Sequence, residues 1–293
     1  MQKAILLLGY GYVAGHLAAR LAERGWRIAA TARTEAGVRE IERAGFQGWL
    51  FDGSAPLPGQ AFAGITHVLS SIPPDEEGDA ALRRLRARFI AHAQDLAWVG
   101  YLSTVGVYGD HGGAWVDEET PPRPVSARGK RRLAAERAWL KLHEEHGLPV
   151  HIFRLPGIYG PGRNALLKAL KRERAALVVK PGQVFSRIHV DDLVEALLAS
   201  MKHPRPGRIY NVVDDAPAPP HEVALYAHEL LGLAPPPLKP FEEVRMSDMA
   251  RSFYGESKRV SNRRLKRELG WRPRYRDYRA GLAALLDDVK RRK

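Results

Sequence analysis

Gly9, Gly11 and Ala14 form a G-x-G-x-x-A pattern directly after the apolar run Ala4–Leu8 and directly before an amphipathic stretch. A strand-to-helix turn needs a residue free in φ at Gly9. A phosphate needs close backbone approach at Gly11, and a helix lying on a sheet needs a small side chain at Ala14. The amides that open the helix, at Tyr12 and Val13, then offer an anion site. This is the chemistry of a dinucleotide pyrophosphate. The end of the second apolar run reads Thr31-Ala32-Arg33-Thr34, with Arg33 22 residues past Gly11 and Glu35 the only nearby acid. An acid at that place would take the ribose hydroxyls of NAD, whereas an arginine can pair with a 2′-phosphate through two N–H groups. NADP(H) is therefore expected in preference to NAD(H).

These residues need strands and helices to hold them. Short apolar runs at Ala4–Leu8, Arg27–Thr31, Gly48–Phe51, His67–Ser71 and Trp98–Ser103 alternate with helix-like segments. That alternation is the pattern of βαβ units and a parallel sheet. Val150–Leu155 and Ile209–Val213 read as two further strands, and Lys130–His146 as a long helix. Beyond residue 160 the spacing predicts helices over Asn164–Arg174, His221–Leu231, Ser261–Leu269 and Tyr278–Val289, with a proline-rich connection at Leu233–Pro240.

Composition bounds the function. Hydrophobic residues make 45% and charged residues 27% of 293, the range of a globular protein. There is no cysteine, which excludes disulfides and thiolate chemistry. No His/Asp cluster has metal-ligand spacing, so no metal is expected. The longest N-terminal apolar run is five residues, far short of a secretory or membrane segment, and a cytoplasmic location is expected by default. The formal charge is +13, with basic clusters at Arg83–Arg86, Lys130–Arg132, Lys258–Arg267 and Lys290–Lys293. No nucleic-acid-binding signature accompanies them, so they read as a solvated surface.

Four later segments resemble the extended short-chain dehydrogenase/reductase family, the NAD-dependent epimerase/dehydratase branch. They are Ser103-Thr104-Val105-Gly106-Val107-Tyr108-Gly109, Arg154–Gly162, Arg187–Leu193 and Ile209–Val212, in family order after the glycine turn. The resemblance spans nearly the whole chain. It implies an α/β fold, a Rossmann-type doubly wound parallel sheet of about seven strands, with a smaller C-terminal substrate lobe closing over the carboxyl ends of the strands. Residues 1–163 would form the dinucleotide domain, with 187–215 adding a late strand and helix. Residues 164–186 and 216–293 would form the lobe. The resemblance also implies that Ser70 and Ser71 run beside the cofactor and that Asp52 lies near the adenine.

The family's chemistry uses a Ser/Thr hydroxyl, a Tyr acid/base and a Lys four residues after it. Thr104 fits the hydroxyl. Aligning on Arg132-Leu133-Ala134-Ala135-Glu136 puts Arg128 at the tyrosine position and Arg132 at the lysine position; a shifted alignment keeps Lys130 but puts Ser126 at the tyrosine position. Neither supplies a tyrosine. An arginine exchanges no proton near neutrality, so the chain resembles an atypical branch in which tyrosine-driven chemistry does not follow. Arg132 is expected to hold ribose or phosphate, and Arg128 an anionic substrate group. Tyr108 is the nearest alternative acid/base, while Tyr159 and His189 are expected to line the substrate site.

Two functions follow. One is an NADP(H)-dependent oxidoreductase or epimerase acting on a small, anionic substrate, as a monomer or homodimer with neither membrane nor nucleic acid as partner. The other is a cofactor-binding sensor or scaffold without catalysis.

Overall fold

The computed structural model describes residues 3–172, 175–247, 251 and 253–291. Its chain divides into two compact units. The first gathers the residues through Thr104 with Ala127–Arg154 and Val194–Tyr210; the second gathers Val105–Ser126, Leu155–Leu193 and the residues from Asn211 onward. The division differs from the expected boundaries, because residues 105–126, 155–163, 187–193 and 211–215 group with the second unit. Contacts made after chain reversals draw these units, and local patterning does not record such contacts. Residues 173–174, at the end of the expected helix Asn164–Arg174, and 292–293, at the basic C-terminus, lie outside the described residues.

A seven-stranded parallel sheet runs through the first unit. Its strands are β1 (Ala4–Leu8), β2 (Arg27–Ala32), β3 (Gln47–Leu50), β4 (His67–Ser70), β5 (Trp98–Thr104), β7 (Val150–Leu155) and β11 (Ile209–Asn211). They lie in the order β11-β7-β5-β4-β1-β2-β3. β6 (Trp115–Val116) and the remaining short strands belong to the second unit. All five residues of β1 are buried, as an unbroken apolar strand covered on both faces must be. The chain passes from β1 through α1 (Tyr12–Ala22) to β2 on one side and resumes at β4 on the other. β1 is therefore the topological switch point, where ligands meet the carboxyl ends of an open α/β sheet.

Helices α2 (Glu35–Arg43), α3 (Ala80–Ala91) and α4 (Ala127–His146) complete this layer. Trp139 of α4 anchors it. The indole packs on Phe89 at 5.0 Å and Tyr101 at 5.8 Å between ring centroids. Its Nε1 donates to Asp79 Oδ2 at 3.2 Å, while the other oxygen of that buried carboxylate caps α3 at Leu82 N.

The second unit holds three short parallel pairs: β6 with β13 (Arg259–Val260), β8 (Gly157–Tyr159) with β10 (Arg187–His189), and β9 (Leu177–Val179) with β12 (Leu238–Pro240). A separate core includes Tyr159, Leu166, Val223, Tyr278 and Leu282. It is built from α5 (Ala165–Leu170), α7 (Pro220–Leu231) and a terminal helix, Tyr278–Arg291. In chain order α6 (Val190–Lys202), whose residues from Val194 group with the first unit, precedes α7, and α8 (Arg263–Leu269) precedes the terminal helix, α9. Among the described residues, no helix is long and apolar enough to cross a membrane.

Two histidines of the sheet are buried neutral. His67 and His151 flank Trp98, with ring centroids at 6.3 and 5.8 Å, and burial pushes both pKa values down to about 4. His151 Nε2 accepts from Arg205 N at 2.8 Å, a bond available only to the neutral ring. A pKa depressed on folding means that the unfolded chain binds the extra protons. Stability is then complete above the ordinary histidine range and falls as pH drops from about 6.5 towards about 4. The expected loss is on the order of 3 kcal/mol per histidine. Urea unfolding across that range should show the decline, and replacing His151 with Gln should remove about half of it, leaving the part due to His67; a flat wild-type profile would contradict the neutral assignment.

Candidate functional site

The glycine turn closes β1. Gly9 has φ +89°, in the left-handed region that favours glycine, and a Cβ there would lie 2.9 Å from Ser71 Oγ. Its N–H donates to Thr31 Oγ1 at 2.8 Å, and Tyr10 N donates to Thr31 O at 2.9 Å. The turn is thus clamped to the end of β2. Ser71 clamps it to the end of β4, donating through Oγ to Gly9 O at 2.8 Å. Gly11 is different. It is the N-cap of α1 with extended backbone, carries no side-chain cap, and a Cβ there would meet nothing within 4 Å. The protein's own packing does not call for a glycine at this position. Open space above the first turn of a helix suits an anion drawn to its dipole and amides. Val13 and Ala14 are buried beneath it, and Tyr12 sets its ring edge against His16 at 4.8 Å.

Arg33 is exposed one residue beyond β2 and has no acid partner among the described residues. Thr34 caps α2, accepting from Gly37 N at 3.2 Å. Asp52 is exposed beyond β3, where its Oδ1 accepts from Ser54 N and Oγ. Ser70 is fully buried with an unpartnered hydroxyl. The turn, the bare N-cap and the exposed arginine together fit a phosphate-rich dinucleotide.

The same sheet edge carries Thr104, the last residue of β5. Beneath it Ser103 Oγ donates to Glu136 Oε1 at 2.5 Å, and Arg154 Nη2 donates to Glu136 Oε2 at 2.8 Å. All three side chains are buried. One turn before Glu136 on α4, Arg132 donates through Nη1 to Leu102 O at 2.6 Å and lies over the Tyr101 ring at 5.6 Å. Arg132, expected to hold ribose or phosphate, gives one of its donors, Nη1, to the backbone of β5. Arg128 is exposed in the first turn of α4.

Three expected site residues lie in the second unit. Tyr108 is fully buried and donates to Asn211 Oδ1 at 2.8 Å. That geometry speaks against an acid/base in contact with substrate, because the proton is committed to a structural bond. His189 is 1% exposed, accepts from Asp191 N through Nδ1 at 3.2 Å and sits between the rings of Tyr159 and Tyr275. Tyr159 is held against α9, where Gly281 leaves no room for a Cβ beside its ring. Burial raises the Tyr159 hydroxyl above the usual phenol value.

Sequence reasoning missed a cavity of about 300 Å³ in this unit. Arg163, Lys168, Arg172 and Arg187 line it, together with Tyr159 and Tyr278, and no carboxylate does among the described residues. It also passed over the Tyr-x-x-x-Lys spacing at Tyr254 and Lys258. That pair lies off α4, and Lys258 is spent on Gly109 O and Glu256. The basic clusters are largely paired too: Arg83 with Asp75, Arg86 with Glu145, Arg131 with Glu76, Arg264 with Glu119 and Lys266 with Asp215. No group of three metal-ligating side chains occurs among the described residues.

Residues 79–213 match the NAD dependent epimerase/dehydratase family. A functionally unknown conserved protein of known structure from Silicibacter pomeroyi is 47% identical over 99% of this chain and 100% of its own, with a TM-score of 0.91. Protein YeeZ of Escherichia coli K12 is 29% identical, covering 94% of this chain and 97% of its own. UDP-glucuronic acid 4-epimerase from Bacillus cereus, solved with NAD, shares the fold at 17% identity, with a TM-score of 0.77 over 98% of this chain and 99% of its own. The chain belongs to the NAD-dependent epimerase/dehydratase family.

The Glu136–Arg154 pair gives a direct test of what supports the β5 edge. Replacing Glu136 with Ala leaves a buried guanidinium without its counter-charge and is expected to cost about 3–5 kcal/mol. A Glu136→Leu, Arg154→Met double variant, which removes both charges, should lose much less. Urea unfolding of the three proteins distinguishes a charge left alone from packing lost.

Proposed function

We propose that this chain binds NADP(H) on the Gly9–Gly11 turn and carries out oxidoreductase or epimerase chemistry on a small anionic substrate. The observation that carries the reading is the bare N-cap at Gly11 with Arg33 exposed beyond the neighbouring strand. The amides of α1 bind the pyrophosphate, and the Arg33 guanidinium takes the 2′-phosphate through charge-assisted bonds. When bound, the cofactor supplies a hydride donor or acceptor.

The chain's own residues orient and hold. Thr104 at the end of β5 turns its hydroxyl to the substrate, and Arg128 on the first turn of α4 offers a charge to an anionic group. With Tyr108 bonded to Asn211 and Arg132 bonded to Leu102, the proton passes through a water or a group of the substrate. In the second unit a cavity lined by four cations, with no carboxylate among the described residues of its wall, is a place for an anionic ligand. UDP-glucuronic acid, named for the Bacillus cereus relative, is the first compound to test.

A second reading is a cofactor-responsive protein without turnover. It is favoured by the arginine at the family's lysine position and by that residue's bond to β5. Under this reading NADPH binds tightly, yet no nucleotide sugar or carbonyl compound is converted.

Cofactor choice separates the readings of Arg33. Arg33→Ala should weaken NADPH binding about tenfold or more, the weight of a hydrogen bond between charged groups, and leave NADH binding within about twofold. Fluorescence titration with both cofactors measures this. Equal losses for both would show that Arg33 does not read the 2′-phosphate. Turnover assays with NADP⁺ or NADPH and UDP-glucuronic acid then separate enzyme from sensor.

A further inference from the structure

Tyr278 is the first residue of α9, is 1% exposed, and lines the cationic cavity of the second unit. Its ring is held on two sides. Tyr226 meets it edge-on at 5.8 Å, and the Arg279 guanidinium lies over it at 4.6 Å. The hydroxyl, however, is buried without a hydrogen-bond partner among the described residues. A phenol kept from water and from every protein acceptor destabilises the fold, and a phenylalanine would fill the same space without that cost. Burial also raises the hydroxyl above its ordinary pKa, so it stays a donor at neutral pH.

The rest of the wall narrows what this donor can meet. Arg187 is committed through Nη1 to Phe185 O and Ala218 O. Asn164 is committed to both its own helix cap and Gly160 O. Lys168 and Arg172 supply charge with no acid partner among the described residues. Tyr278 is neutral and rigidly held, and its hydroxyl has no hydrogen-bond partner among the described residues.

We infer that Tyr278 is a specificity-determining residue: its hydroxyl donates a hydrogen bond to an acceptor oxygen of the same ligand whose anionic group the cavity's cations hold. The inference rests on the proposed reading of that cavity as the place of the anionic substrate. The ligand it selects carries an acid group and, within the reach of one side chain, an oxygen able to accept. A ligand with a donor or an apolar group at that place leaves the phenol unpaired and is rejected.

The test titrates UDP-glucuronic acid into the wild type, Tyr278→Phe and a Lys168→Ala, Arg172→Ala double variant by calorimetry, with the urea midpoint of each ligand-free protein measured alongside. The expected result is at least a tenfold loss of affinity in Tyr278→Phe with a midpoint equal to or above that of the wild type. A merely structural hydroxyl would not give that combination. Unchanged affinity in Tyr278→Phe beside weakened binding in the double variant overturns the role of Tyr278 and leaves the cationic cavity standing. A lowered midpoint in Tyr278→Phe also overturns it, since the hydroxyl would then be bonded in the free protein. No binding to the wild type overturns both the role and the reading of the cavity on which it rests.

Discussion

Glu136 and Arg154 are taken out of water together, and much of the first unit is arranged around making that tolerable. Two opposite charges in a low-dielectric interior are stable only when both are paired and their remaining lone pairs are used. Arg154 comes from β7, Glu136 from α4 and the supporting Ser103 hydroxyl from β5. Three elements distant in sequence are thereby fixed in one register. Thr104 follows Ser103 directly, so the edge on which it stands inherits the rigidity of the pair. Arg132, one turn away on the same helix, adds a bond to the Leu102 carbonyl.

The glycine-turn end is built on a different principle. There the protein leaves groups open instead of pairing them. Gly9 is locked by Thr31 and Ser71, yet Gly11 next to it has neither a cap nor neighbours within reach of a Cβ. A firmly held turn beside an open helix start costs little when a polyanion binds, because few groups need reordering. The two ends of one sheet edge thus contrast a turn left open at its helix start with a strand end backed by a buried ion pair.

The second unit shows how residues noticed for their type turn out to serve packing. Tyr108, Tyr159 and His189 could each carry a proton, and all three are buried. Asp192 belongs to the same segment as His189, and its carboxylate accepts from Arg274 N and Tyr275 N. The family segment around residue 189 is in this chain a clamp between β10 and the loop before α9. The open chemistry of the unit lies instead in the cationic cavity, whose wall draws on β8, β9, β10, α5, α7 and α9.

By itself the sequence determined the strands of the sheet, the glycine turn and the position of Arg33. β1 and β7 fall where their apolar runs predict, and β2 to β5 within a residue or so. These features are local: a buried strand must be continuously apolar, and a turn needs glycine where φ is positive. The short pairs β6 with β13, β8 with β10 and β9 with β12 were not legible, because two or three residues carry no periodicity. Tertiary structure alone decided that Arg132 binds a carbonyl, that Tyr108 binds Asn211 and that Lys168, Arg172 and Tyr278 line one cavity. Each of those facts joins residues from separate elements, and a side chain's partner is set by where the chain returns, not by its neighbours in sequence.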